Sequence, residues 1–270
     1  MSAAPPAPGT DRDQLVEVAA ADLPRLVPLF DPDHPNLAFA HAVIDGAIPG
    51  RAWAHFRNGA PVSCLIATTA PFCLAAGTMT PGFFMEAATL LAGHGEVQLV
   101  HPPGPGIGEW AEQAGFTTER RLHFTHTPFT HTPLDFSAPS PLAPDGYTLV
   151  RIDAETFSGL DSPMARSIFG TGARYADHAA GFALVKDGRV AADAHGVIGG
   201  GLIELGIHTH PDHRRKGLAF VVLAAVSRWG SRRGLRSVMT CHVHKTPSIA
   251  LARKLGLTEE FSYPIAKATC

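Results

Sequence analysis

Residues 202–219 read Leu-Ile-Glu-Leu-Gly-Ile-His-Thr-His-Pro-Asp-His-Arg-Arg-Lys-Gly-Leu-Ala, and this stretch decides how the chain is organised. The apolar run from Leu202 to Thr209 is strand-like and breaks at Pro211. After the basic turn Arg214-Arg215-Lys216 and Gly217, an apolar stripe starts at Leu218 and continues through Val222, Val226 and Trp229. That spacing follows one face of a helix. Strand, basic turn, glycine and helix start together make an anion site. First-turn N–H groups lack intrahelical partners, the helix dipole adds positive potential, and a glycine lets a phosphate approach the backbone closely.

Working outward, the chain reads as two copies of one order of elements. Residues 51–57 and 61–69 are strand-like around Asn58-Gly59, a strong hairpin signal. A strand over 72–76, a helix from Pro81 to Ala92 stopped by Gly93, a strand over 96–100, a short helix over 109–114 stopped by Gly115 and an extended run over 117–129 follow. The second half repeats this. Strands flank Asp187-Gly188, the 202–209 strand comes next, then a helix over 217–233 stopped by Gly234. A strand over 236–243, a helix over 248–255 stopped by Gly256 and a terminal extended run complete it. Gly234 and Gly93 lie 141 positions apart, as do Gly256 and Gly115. The repeat points to two α/β modules, over 11–132 and 146–270, joined by a Pro- and Ser-rich linker over 133–145. Residues 11–30 read as helix-forming, with Asp22-Leu23-Pro24 as a helix start, and residues 1–10 as a disordered tail.

The copies are unequal. At the 141-residue offset, Cys73 stands opposite Arg214 and Ala76 opposite Gly217, so the first copy lacks both the basic residues and the loop glycine. The hairpins are offset by only 129, from Gly59 to Gly188, which gives the second copy twelve more residues between hairpin and helix.

The Arg214-x-x-Gly217-x-Ala219 loop after a strand resembles the acyl-CoA pyrophosphate loop of the GCN5-related N-acetyltransferases, the GNAT family. The stretch Thr246 to Leu257, with Lys254-Leu255-Gly256-Leu257, resembles that family's following helix. The resemblance implies an α/β fold of two GNAT-like modules, each a mixed central sheet with flanking helices, the first degenerate. It implies acetyl-CoA as co-substrate, with the pantetheine arm on the backbone of Ile207, His208 and Thr209. The pyrophosphate would sit at Arg214, Arg215, Lys216, Gly217, Leu218 and Ala219, with Ser248 nearby. Two family positions differ here. The tyrosine that usually supplies the proton is Ala252, and an asparagine before Ser248 is Lys245.

Amine acylation needs a base for the ammonium and a proton for the departing thiolate. Glu204 is the base candidate by residue type, and Tyr263 on the terminal strand is the substitute acid. By alternation Glu204 shares a face with Gly206 and His208, whereas family bases usually lie on the face of Ile203 and Leu205; a bulge at Gly206 would swap the faces. The histidines at 208, 210, 213, 242 and 244 could gather a metal or act as a base. Against a metal, Cys241 faces away from both nearby histidines and no carboxylate lies within either His-x-His pair.

Composition sets the bounds. A hydrophobic content of 45% with 17% charged residues describes a globular chain, and a net charge of −2 gives no global attraction to nucleic acid or anionic membrane. Four cysteines without short spacings argue against a disulfide framework, and Cys64 and Cys73 fall in apolar runs. No apolar run reaches transmembrane length and no signal-peptide pattern opens the chain, so a cytoplasmic protein is expected. The expected function is transfer of an acetyl or short acyl group from acetyl-CoA to a small-molecule or peptide amine, by direct attack in a ternary complex. The rival is a non-catalytic CoA-binding sensor or scaffold. A homodimer stays open.

Overall fold

The computed structural model describes residues 12–126 and 142–269; the expected tail and residues 133–141 of the expected linker lie outside these. By its own contacts the chain forms two compact units. The first comprises residues up to Arg121 together with Tyr263–Cys270, and the second is Leu122–Ser262. This differs from the contiguous division drawn from the repeat, because the unit boundaries fall inside the last strand of each copy. A glycine-stopped repeat marks where elements end; it carries no information about which sheet a strand's far half joins.

In the first unit, β1 (Arg12–Glu17), β2 (Gly50–Arg57), β3 (Ala60–Thr68), β4 (Phe72–Gly77) and β5 (Glu96–Val100) follow in that order, with β6 (Thr117–Thr125) leaving the unit after Arg121. Neighbours are antiparallel except β4 and β5, which run parallel across α2 (Pro81–Leu90). Asn58 and Gly59 both adopt positive φ, as the tight hairpin between β2 and β3 requires. Leu65, Phe83, Phe84 and Leu99 fill the core between sheet and helices. The segment expected to be helical over 11–30 is instead β1 followed by a 3-10 stretch, Ala20–Leu29. Strand β1 forms by antiparallel pairing with β2, and Pro24 and Pro28 both fall inside the second segment, where proline withholds the N–H that an α-helix needs. Helix α1 (Leu37–Ile44), which has no counterpart in the sequence reading, is buried almost all round.

In the second unit, β7 (Thr148–Arg151), β8 (Ala179–Lys186), β9 (Arg189–Gly199), β10 (Leu202–Thr209) and β11 (Arg236–His242) lie side by side, with β6 beyond β11. Of the pairs β7–β8, β8–β9, β9–β10 and β10–β11, only the last is parallel, across α7 (Leu218–Ser231). Short helices α4 (Ala154–Ser158), α5 (Pro163–Phe169) and α6 (Gly172–His178) separate β7 from β8, and α8 (Thr246–Lys254) precedes β12 (Thr258–Thr269). Helix α7 buries Leu218, Val222 and Val226 in a cluster with Ile203 and Leu205 of β10. Its packing is close. A Cβ built on Gly230 would stand 2.8 Å from Ile203 Cγ2, and one on Gly196 2.4 Å from the same side chain. Cys64, Cys73 and Cys241 are buried thiols outside any disulfide. Among the described residues no helix is long and apolar enough to cross a membrane.

Candidate functional site

The site of the second unit begins where two strands part. Strand β10 pairs with β11 at Leu202, Ile203 and Glu204 only, while its antiparallel pairing with β9 runs unbroken from Leu202 to Thr209. From Leu205 onward the β11-facing edge of β10 is therefore open, and Gly206 is exposed there. Opened sheet edges offer unpaired backbone groups to an extended ligand. Ile207, His208 and Thr209 lie along this edge, each half-buried.

The turn that follows leads straight to the helix end. A short 3-10 turn, Pro211–His213, precedes Arg214, and His213 is held by the Tyr147 hydroxyl 2.9 Å from its Nδ1. Arg215 and Gly217 both adopt the left-handed conformation, at φ 61° and 77°. For arginine that conformation is strained by roughly 1 kcal/mol or more. Gly217 caps α7 without a side-chain hydrogen bond, and nothing lies within 4 Å of where its Cβ would be. Among the described residues, the backbone N–H groups of Lys216, Gly217, Leu218 and Ala219 donate to no protein acceptor. Free donors, a helix N-terminus and open space around a glycine suit an anion such as the pyrophosphate of acyl-CoA. The side chains of Arg214 and Lys216 turn back onto the carbonyls of Thr209 and Asp212, at 3.3 and 3.0 Å. Arg215 is exposed and uncommitted among the described residues. Ser248, half-buried, sits in the first turn of α8, and Ala252 is fully buried in the core.

The first unit has the same architecture with both features closed. Strands β4 and β5 pair at Phe72, Cys73 and Leu74, and the next carbonyl, of Ala75, is met by His34 Nε2 at 3.0 Å. Helix α2 starts with Pro81, which has no N–H, and Thr80 accepts from Phe83 N at 3.1 Å. Helix α2 thus opens with a side-chain cap and a proline, where α7 opens with an uncapped glycine.

Strand faces correct one expectation. The register of β10 against β9 shows no bulge at Gly206, and Ile203 and Leu205 are buried under α7, so that face offers no base position. The polar face is the opposite one, carrying Glu204, Gly206 and His208 of β10 with Asp193 and His195 of β9, since Asp193 pairs with His208 and His195 with Gly206. Glu204 is buried and accepts a hydrogen bond from Thr240 Oγ1 at 2.9 Å. Tyr263 belongs to the first unit, where its hydroxyl donates to Asn36 Oδ1 at 2.9 Å and receives Arg121 Nε at 3.3 Å. The hydroxyl of Tyr263, the residue expected to substitute as acid, is thus engaged in a buried polar cluster of the first unit.

Three polar residues that the sequence reading passed over join the site. His208 Nδ1 lies 3.2 Å from Asp193 Oδ2, His195 Nε2 lies 2.6 Å from Asp193 Oδ1, and Tyr175 Oη lies 2.9 Å from His195 Nδ1. The alternation Asp193-x-His195 within an apolar strand was the available signal, because both side chains must share a face. Among the described residues, no group of three or more His, Cys, Asp or Glu is placed to hold a metal ion.

A family model described as GNAT acetyltransferase matches residues 28–266. The chain is similar to the uncharacterized N-acetyltransferase YdfB of Bacillus subtilis (strain 168), at 24% identity over 236 residues, covering 84% of this chain and 88% of that protein. Its fold is similar to that of a GCN5-related N-acetyltransferase-like protein from Streptococcus suis 89/1591, with a TM-score of 0.72 at 20% identity over 93% of this chain and 99% of that one. It is also similar to a tandem GNAT protein from the clavulanic acid biosynthesis pathway, with a TM-score of 0.62 at 18% identity, covering 95% and 98% of the two chains.

Proposed function

The chain belongs to the GNAT acetyltransferase family and is an acyltransferase, and we propose that its second unit transfers an acetyl or other short acyl group from acyl-CoA to an amine. The observation that carries this reading is the parting of β10 from β11 after Glu204, next to the uncapped Gly217 end of α7. The pantetheine arm would add to the open edge at Ile207, His208 and Thr209, and the pyrophosphate would take the N–H groups from Lys216 to Ala219, with Arg214, Arg215 and Ser248 bordering it. The first unit receives no acyl-CoA in this reading, since His34 meets the Ala75 carbonyl and α2 opens with Pro81 under a Thr80 cap in place of an uncapped glycine.

We assign the base to His208. It lies on the open part of β10, its Nδ1 is bonded to Asp193, and its side chain is 32% exposed. Glu204 is more deeply placed, with one oxygen engaged by Thr240. His208 Nε2 takes a proton from the ammonium of the acceptor, leaving a neutral amine. The amine nitrogen attacks the thioester carbonyl carbon, the new C–N bond forms, and the C–S bond breaks with its electron pair leaving on sulfur. The thiolate then takes the proton lost by the attacking nitrogen, and the proton held by His208 passes to water. No cysteine lies exposed among the described residues to form an acyl-enzyme, which favours direct attack within a ternary complex.

Calorimetry with acetyl-CoA tests the reading. The wild type is expected to bind, and Gly217→Glu, which places bulk and negative charge at the helix end, to lose binding while staying folded. Equal binding by both proteins, or none by the folded wild type, would overturn it.

A further inference from the structure

With both rings neutral and the carboxylate ionised, the hydrogen bonds behind His208 form a chain with one direction. Asp193 is 1% exposed and offers two acceptor oxygens, each already facing an imidazole nitrogen. An ionised carboxylate only accepts, so both rings present N–H to it: His195 through Nε2 and His208 through Nδ1. With its proton on Nε2, neutral His195 has a lone pair on Nδ1, which accepts the Tyr175 O–H. Each donor in the chain then has one acceptor. The remaining valence falls at the far end, where His208 Nε2 is left with a lone pair.

The fold holds this chain in place by packing. Tyr175 is fully buried, stacked on Phe157 at 4.5 Å and met edge-on by Phe169 at 4.9 Å. Burial and the Asp193 charge push its ionisation upward, so it stays a donor; Arg151 on β7 opposes that shift as the smallest of the three influences. His195 is enclosed between α6 and the sheet, its side chain 7% exposed. Only His208 reaches the open edge. Neither Tyr175 nor His195 is placed to touch a substrate, so any influence on the reaction must pass through Asp193.

We propose that Tyr175, His195 and Asp193 are positioning residues that lock His208 in the Nδ1–H tautomer, with Nε2 presented as the proton acceptor for acyl transfer. This rests on the acyl-transfer reading given above. It adds a specific state of one ring, set by residues remote from the reacting atoms. Without the chain, His208 would be free to place its proton on Nε2, and it could not then accept another there.

The test reads the ring directly. The full chain, labelled with nitrogen-15 in histidine, is examined by long-range proton–nitrogen correlation at a pH where both rings are neutral, with His208→Gln and His195→Gln used for assignment. The expected spectrum places the proton of His208 on Nδ1 and that of His195 on Nε2; an Nε2–H His208 in the wild type would overturn the proposal. Asp193→Asn, whose amide can donate to Nδ1, is expected to convert His208 to the Nε2–H form. Tyr175→Phe is expected to leave a mixture and to lower kcat roughly 10- to 100-fold, with acetyl-CoA affinity unchanged. A folded Tyr175→Phe protein with unchanged tautomer and unchanged kcat would reduce the chain to a packing device and overturn the proposal. Failure of the wild type to bind acetyl-CoA would instead overturn the acyl-transfer reading, and the His208 tautomer would still decide whether the chain sets the ring.

Discussion

Gly181 and Tyr175 are complementary: a Cβ on Gly181 would stand 1.7 Å from the Tyr175 hydroxyl oxygen. Gly181 pairs with His195 across β8 and β9, so the missing side chain on one strand makes room for the phenol that bonds the histidine on the next. Here a glycine in a strand marks a close approach, and no turn is involved.

Gly181→Ala is therefore expected to displace Tyr175 and to press on the Ala194 carbonyl as well, at 2.9 Å. Urea denaturation should register a loss of about 1–3 kcal/mol, the usual cost of overpacking, and turnover should fall with it. Adding Tyr175→Phe, which removes the clashing oxygen, should restore part of the stability and none of the turnover. Full additivity of the two changes would contradict the contact.

Glu204 and His208, on the same polar face, should separate in kinetics. Glu204→Gln keeps an oxygen for Thr240 and is expected to leave kcat within about threefold, whereas His208→Gln should lower it by about 100-fold or more. Acetyl-CoA affinity, measured alongside, should be similar in both. A large kcat loss in folded Glu204→Gln would return the base to Glu204.

Stability should fall with pH through His123. Burial, and then the charge of Arg236, lower its pKa to about 4 from 6.5; Glu260, at 3.7 Å from Nε2, is 35% exposed and does not offset the burial. Between those values the unfolded chain binds a proton that the native chain refuses, so native stability is lost as pH falls from 6.5 toward 4. His34, His101 and His126 are lowered by burial in the same sense. Denaturation at pH 7.5 and 5 should reveal the slope, up to roughly 3 kcal/mol from His123 alone by pH 4. His123→Phe should flatten it, and an unchanged slope in that variant would remove His123 as its source.

Gly230→Ala sets helix propensity against packing. Alanine in a helix interior gains about 1 kcal/mol over glycine, but its Cβ would meet Ile203 Cγ2 at 2.8 Å. Overpacking of this kind costs about 1–3 kcal/mol, so net destabilisation is expected in thermal melts. A stabilised variant would show that Ile203 can move aside.

Much of this was written in the chain. Asn58-Gly59 and Asp187-Gly188 marked two hairpins, Gly93, Gly115, Gly234 and Gly256 marked helix ends, and each reads locally because only a few residues tolerate positive φ. The order of those signals revealed the doubled α/β plan, and Arg214 to Ala219 revealed the loop. Residues 12–29 misled for the opposite reason, since a strand that exists by pairing with β2 has no sufficient local signal.

What the sequence determined by itself was most of the elements, the repeat and the loop that opens α7, all products of short-range backbone chemistry. The tertiary structure decided where β10 leaves β11, that Tyr263 serves the first unit, and that Asp193 lies between two imidazoles. Residues 175, 193, 195 and 208 are separated by a helix end and two strand turns, and only cross-strand register brings them within hydrogen-bonding distance. Register is set by the burial of whole strand faces, which no local pattern around one histidine contains.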